Sequence, residues 1–241
     1  MTLKGRVAWV TGGGRGVGRA VAVELAARGA LVLVTGRSER SLGETVGEIV
    51  YQGGTARHLV SDVRDPLAGE AAARRAVEQW GQLDVVVACA AIGGPLDLTA
   101  DDVAPAVDVI VTNLVGTLHT FRAAARVMTG PGRLVAVGSE LAHRGAPGHA
   151  AYTASKAGLE GLVASLGREL AGRQIAVNAV SFGRVEPWSR QQPGVEARAG
   201  EPTGALLDAT DVARFVASVA DPGGGAAVGT GQVVRMGDRV G

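Results

Sequence analysis

The apolar positions of the chain fall into short, nearly continuous runs. The first is Val7-Ala8-Trp9-Val10, closed by glycines, and comparable runs recur at 31–34, 57–60, 85–88, 134–137, 175–177 and 232–234. Runs of this length, rich in Val, Ile and Leu and without polar alternation, predict strands buried on both faces. Between most of them lie longer stretches with helical patterning, at 17–27, 38–50, about 67–80, 101–128, 152–171 and 209–220. Ser38 stands where an N-cap is needed, and Gly53-Gly54 stops that helix.

Strands that alternate with helices pair in parallel, because parallel neighbours need a crossover, and crossovers of one hand build a doubly wound sheet. The expected fold is therefore α/β. It is one domain over residues 1–241, with a parallel sheet of about seven strands and helices on both faces. One segment breaks the pattern. Residues 184–206 carry Pro187, Pro193 and Pro202 with Gly194, Gly200 and Gly204. A long irregular loop near the C-terminal end of a strand, where such folds bind ligands, is a candidate lid.

Composition excludes several classes. The 24 Lys+Arg and 23 Asp+Glu leave a net charge of +1, so no electrostatic case exists for nucleic acid or an anionic membrane. Cys89 is the sole cysteine, which excludes a disulfide framework and a cysteine-built zinc site, and no two of the four histidines have metal-ligand spacing. No run approaches the roughly 18–20 apolar residues of a spanning helix, and the N-terminus lacks a signal-peptide core. The expectation is a soluble cytoplasmic protein without a metal. Aromatics are only 3% of the chain, so its core rests on Ala, Val and Leu.

The candidate chemistry begins directly after the first strand. Thr11-Gly12-Gly13-Gly14-Arg15-Gly16-Val17-Gly18 joins that strand to the first helix. Gly12 permits a tight turn, Gly16 allows close backbone approach to a pyrophosphate, and Gly18 lets helix pack on strand. The helix N-terminus then offers free N–H groups and a positive dipole end. The strand–turn–helix context separates this from a merely structural glycine turn.

The spacing Thr-Gly-x3-Gly-x-Gly resembles that of the short-chain dehydrogenase/reductase family, and the resemblance extends over the whole chain. It implies a Rossmann fold. It also implies that Asn113, Ser139, Tyr152 and Lys156 are a catalytic tetrad, with Tyr152-Thr153-Ala154-Ser155-Lys156 as the Tyr-x-x-x-Lys signature and Ser139 thirteen residues ahead of the tyrosine. By the same resemblance Asp62 and Val63 meet the adenine, Ala90 lines the nucleotide, Lys156 holds the nicotinamide ribose, and Gly183 and the Val185 backbone meet the nicotinamide. Asn113 would anchor a water in a proton relay. The implied assembly is a homotetramer or homodimer formed through helices 101–128 and 152–171.

Physical chemistry adds detail. Tyr152 and Lys156 are four apart and share a helix face, so the ammonium is expected to lower the phenol's pKa. Tyr152 would then donate a proton to a carbonyl oxygen as hydride arrives, with Ser139 bonding the same oxygen. The second strand ends Thr35-Gly36-Arg37-Ser38, with glycine where the family places an acid that selects NAD. Arg37 and Arg15 offer paired donors to a 2′-phosphate, which predicts NADP(H) over NAD(H).

Two segments depart from the family. Ala88-Cys89-Ala90-Ala91 replaces Asn-Asn-Ala-Gly, and Pro187 stands where a threonine would bond the carboxamide; Gly237-Asp238-Arg239 is a third, smaller difference. Cys89 reads as a small buried hydrophobe. Glu140, His143, His149, Arg184 and Trp188 are the candidate substrate contacts. Arg122, Arg126, Arg133 and Arg173 form either a solvated basic face or a dock for an acidic carrier protein. The expected activity is hydride transfer between NADP(H) and a ketone or secondary alcohol, free or carrier-bound. Within the family the likeness is to 3-oxoacyl-carrier-protein reductases and ketoreductases of specialised metabolism. The alternative, favoured by the two departing segments, is a catalytically silent dinucleotide sensor.

Overall fold

The computed structural model describes residues 3–97, 99, 101–185, 206–222 and 229–236. Seven strands, β1 (Val7–Thr11), β2 (Leu31–Gly36), β3 (Thr55–Val60), β4 (Val85–Ala88), β5 (Gly132–Val137), β6 (Ile175–Ser181) and β7 (Val233–Arg235), form one sheet. They pair in parallel in the order β3-β2-β1-β4-β5-β6-β7. Around them pack α1 (Gly16–Ala27), α2 (Glu39–Tyr51), α3 (Pro66–Trp80), α4 (Ala104–Ile110), α5 (Gly116–Val127), α6 (Leu141–Arg144), α7 (Ala150–Glu169) and α8 (Ala209–Ala220). This is the expected single Rossmann-like domain.

Successive strand residues face opposite layers, so β1 feeds two cores. Ala8 and Val10 point to the layer of α1, α2 and α8, with Val21, Leu25, Leu42 and Val216. Val7 and Trp9 point to the layer of α3, α5 and α7, with Ala72, Phe121 and Leu159. Trp9 is fully buried and its Nε1–H donates to Thr35 Oγ1 at 2.9 Å, so the indole's single polar atom has a partner.

A buried carboxylate locks the sheet's centre. Asp84, just before β4, accepts from Arg6 Nη1, the Val7 backbone N–H and Gln82 Nε2, each at 2.8 Å. It joins the start of β1 to the start of β4. At the opposite, C-terminal ends of these strands the order reverses, and the crevice there is the position where doubly wound sheets bind ligands.

Two expectations need correction, and a third falls partly outside the described residues. The strand predicted at 57–60 is not buried on both faces: β3 is a sheet edge, and Arg57, His58 and Val60 are exposed. The helix predicted over 101–128 is interrupted, with a π-helical turn at Val111–Val115 between α4 and α5. A π turn adds one residue to a helical turn and re-aims the side chains around it, which hydrophobic spacing does not reveal. Residues 186–205 of the candidate lid lie outside the described residues. The two ends of that segment pair, through a parallel bridge between Val185 and Leu207 and a bond from Leu207 N–H to the Arg184 carbonyl at 2.9 Å. Among the described residues no helix is long and apolar enough to cross a membrane.

Candidate active site

The crevice holds a cleft of about 850 Å³. One end is walled by the glycine turn, Arg15, Val17, Arg37, Ser38, Asp62 and Val63; the other by Ser139, Glu140, Arg144, His149, Tyr152, Lys156, Gly183, Arg184 and Val185. Cys89, Ala90 and Ile92 line the passage between.

The turn is built by backbone constraint. Gly12 has φ +65, and a Cβ there would lie 2.8 Å from the Ala90 Cα. Only glycine fits both the left-handed backbone and the close approach. Thr11 Oγ1 accepts from the Ala90 N–H at 3.2 Å. A threonine hydroxyl thus braces β4's exit, within the segment that departs from the family's Asn-Asn-Ala-Gly. The start of α1 has no side-chain cap, whereas Ser38, Asp65 and Asp208 cap α2, α3 and α8. Gly16, Val17 and Gly18, in the uncapped first turn of α1, line the cleft. Asp62 is engaged sideways by Arg64, at 2.7 Å, and that guanidinium lowers its carboxyl pKa.

At the far end α7 presents Tyr152 and Lys156. The Ser139 hydroxyl, two residues past β5, acts on the Tyr152 phenol, and Leu141 N–H donates to Ser139 Oγ at 3.2 Å. Lys156 is buried; its Nζ donates to the Val137 carbonyl at 2.6 Å and lies 5.6 Å from the Tyr152 ring centre. Burial lowers the Lys156 pKa to about 8. Tyr152 departs from expectation. Burial raises its pKa, and the Ser139 bond, rather than Lys156, is what opposes the rise. The helix spacing did predict the pair's proximity, but not that burial decides the direction of the shift. Cys89 is only partly buried, at the cleft wall rather than in the core, and desolvation pushes its thiol up to about 12.

Asn113 does not line the cleft. It is buried in the π turn, where Nδ2 donates to the Ile92 carbonyl at 2.9 Å and to Ser155 Oγ at 3.0 Å, while Oδ1 accepts from the Ile92 N–H at 2.9 Å. Ser155 Oγ in turn donates to the Tyr152 carbonyl at 2.7 Å.

A profile for the short chain dehydrogenases matches residues 6–194. The chain belongs to that family. The 3-oxoacyl-[acyl-carrier-protein] reductase of Escherichia coli is 35% identical over 232 residues, covering 91% of each chain. A dehydrogenase/reductase from Sinorhizobium meliloti matches with a TM-score of 0.89 at 36% identity, over 98% of this chain and 94% of that one. A short-chain dehydrogenase from Burkholderia cenocepacia, solved with NADP, matches with a TM-score of 0.88 at 33% identity over 98% of both.

Of the expected substrate contacts in this dehydrogenase, Glu140, His149 and Arg184 line the cleft and His143 does not. His143 instead meets α7 and β7, its Nε2 2.8 Å from both Glu160 Oε1 and Arg235 Nη2. Trp188 and Pro187 lie outside the described residues, as does 237–239. The surface arginines are engaged within the chain. Arg122 and Arg126 both reach Glu70, Arg173 donates to the Ala125 and Met128 carbonyls, and Arg133 lies near Asp221. Sequence reasoning missed Asp84, Arg144 and α6. An acid standing alone before an apolar strand was the available signal for Asp84.

Proposed function

We propose that this short-chain dehydrogenase is an NADPH-dependent ketoreductase acting on 3-oxoacyl thioesters or related small ketones. The observation that carries the reading is the union, in one cleft, of an uncapped helix N-terminus flanked by Arg15 and Arg37 with a Ser139–Tyr152 hydroxyl pair above a buried lysine. The cleft's residues fit a dinucleotide phosphate ester. The free N–H groups of Gly16, Val17 and Gly18 suit the pyrophosphate, and the two guanidinium groups suit a 2′-phosphate. Ser38 and Asp62 would border the adenosine; Ala90, Gly183 and the Val185 backbone would border the nicotinamide. That the E. coli relative is named as a 3-oxoacyl reductase and the Burkholderia structure holds NADP supports the choice of substrate and cofactor.

A bound NADPH supplies hydride. The chain's own groups supply orientation and the proton. Ser139 Oγ–H donates to the substrate carbonyl oxygen and holds the alkoxide that develops there. Tyr152 Oη gives its proton to the same oxygen. Its raised pKa keeps it a neutral phenol at pH 7, the form needed for reduction. The Lys156 ammonium, below pH about 8, compensates the phenolate left behind and passes on a replacement proton. Asn113 acts by position, tying the Ile92 backbone to Ser155 and so to Tyr152.

Self-association as a homodimer or homotetramer fits an apolar row exposed along 103–118, formed by Val103, Val107, Ile110 and Leu118. The silent-sensor alternative has no support from the relatives. Following NADPH absorbance with β-keto thioesters, β-ketoesters and quinones tests the reading. Turnover is expected with at least one class, and Tyr152→Phe should keep NADPH binding while losing nearly all of it. Cofactor binding with no turnover across the panel would reject the proposal.

A further inference from the structure

Gly93 has no side chain, is absent from the cleft wall, and has no part in the chemistry described so far. Yet a Cβ built on it would lie 2.5 Å from Tyr152 Cδ2, 2.9 Å from Cε2 and 3.3 Å from Cγ. Ordinary carbon contacts are about 3.5–4.0 Å. The phenol ring therefore occupies the space that any other residue at 93 would fill.

Neither partner can step back easily. Upstream, both backbone groups of Ile92 are held by Asn113 at 2.9 Å. Downstream, the Leu96 N–H donates to the Gly148 carbonyl at 2.8 Å, and Gly148 packs against Pro95, which pins the loop to the start of α7. Tyr152 is held from its own side by the bond from Ser155 Oγ to its carbonyl, and its ring meets the His149 ring edge-on, with centres 6.4 Å apart. The ring is thus closed in by the loop, by His149 and by Lys156. The loop contributes the absence of a side chain.

We propose that Gly93 is a positioning residue: the vacancy at its Cβ seats the Tyr152 ring and holds the hydroxyl against Ser139. This rests on the reading of Tyr152 as proton donor. A methyl group at 93 must move the ring by roughly 1 Å to restore ordinary contact, and misplacement of that size costs up to about 100-fold in rate. The displaced phenol also loses its Ser139 partner.

The 241-residue chain suits the test because its only tyrosines are Tyr51, which is exposed, and Tyr152. In Gly93→Ala, kcat for NADPH-dependent ketone reduction should fall roughly 10- to 100-fold. The Kd for NADPH should change less than about twofold, because the phosphate end is untouched. In protein labelled with 13C at tyrosine Cζ, the Tyr152 resonance should move and the Tyr51 resonance should not. Gly43→Ala is the control: open space surrounds a Cβ there, so activity and both resonances should hold. A second comparison keeps the proposal testable if Gly93→Ala is unstable. Its loss of Tm should disappear in a Tyr152→Ala background, where the ring no longer fills the seat. An unmoved Tyr152 resonance with kcat within about twofold of the parent would overturn the proposal, as would an equal Tm loss in both backgrounds. If instead Tyr152→Phe retains turnover, the proton-donor reading fails while the resonance and Tm arms still decide whether the seat exists.

Discussion

Replacing Lys156 by methionine separates what the lysine does for catalysis from what it costs the fold. The side chain is buried and its pKa falls from 10.5 to about 8 because burial disfavours the ammonium. At about 1.4 kcal/mol per pH unit, that corresponds to about 3 kcal/mol of folding stability forgone while the group is charged in both states. The sign follows from proton counting. Below pH 8 the folded and unfolded chains are both protonated and the full penalty is present. Between about 8 and 10.5 the folded lysine is neutral and the unfolded one is not, so stability rises with pH; above that range the penalty is gone. Methionine has no such term, but it leaves the Val137 carbonyl without its 2.6 Å donor, a loss of about 1–2 kcal/mol. Lys156→Met should therefore be more stable than the parent at pH 7 by about 1–2 kcal/mol, and less stable by a similar amount above pH 10.5. Urea unfolding followed by tryptophan fluorescence, with the buried Trp9 as a reporter, measures both. Reduction should be lost in the variant at every pH. A stability difference between parent and variant that stays constant from pH 7 to 10.5 would refute the reasoning.

The other expectations are more local. Arg37→Glu should weaken NADPH binding by roughly 10- to 100-fold, the value of a charge-assisted pair, and leave NADH nearly unchanged; equal losses for the two cofactors in a fluorescence titration would contradict the 2′-phosphate assignment. Asp84→Ala removes one acceptor serving three donors and should cost about 3 kcal/mol, read as a lower urea midpoint with an unchanged slope. Cys89, held as a thiol by a pKa of about 12, should alkylate at pH 8 far more slowly than free cysteine, and fast labelling of the native protein by iodoacetamide would show the thiol to be accessible and activated.

What could be read from the sequence was the part fixed by short-range pattern. The strands appear because runs such as Val85–Ala88 are apolar on both faces, and the α2 cap appears because Ser38 accepts from Ser41 N–H as its position implied. The glycine turn and the Tyr152–Lys156 pair follow from spacing in the same way. The remainder depends on what surrounds each residue in space. β3 is an edge because no strand of the described residues lies beyond it, and Arg57 and His58 within its run are the visible hint. The π turn at Asn113 has no hydrophobic signature; a buried amide in an apolar helix was its only sign. The direction of the Tyr152 shift depends on how thoroughly the phenol is desolvated, and the role of Gly93 depends on a ring that lies 59 positions further along the chain. His143 stands near Ser139 in the sequence yet off the cleft wall, because sequence separation says nothing of which neighbour a residue of α6 faces.

The strand order has a consequence for how this protein can be altered. The phosphate and adenosine end of the cleft is contributed by residues 12–63, and the reacting end mainly by residues 137–185, with Leu207 and Met236. The two sets belong to opposite flanks of the sheet and meet along the single seam of β1 against β4, stitched at its base by Asp84. Nucleotide preference and ketone preference are therefore written in separate stretches of the chain, and mutational drift can revise one without editing the other. The short connection from Cys89 to Ile92 borders both ends, and there the two vocabularies share letters.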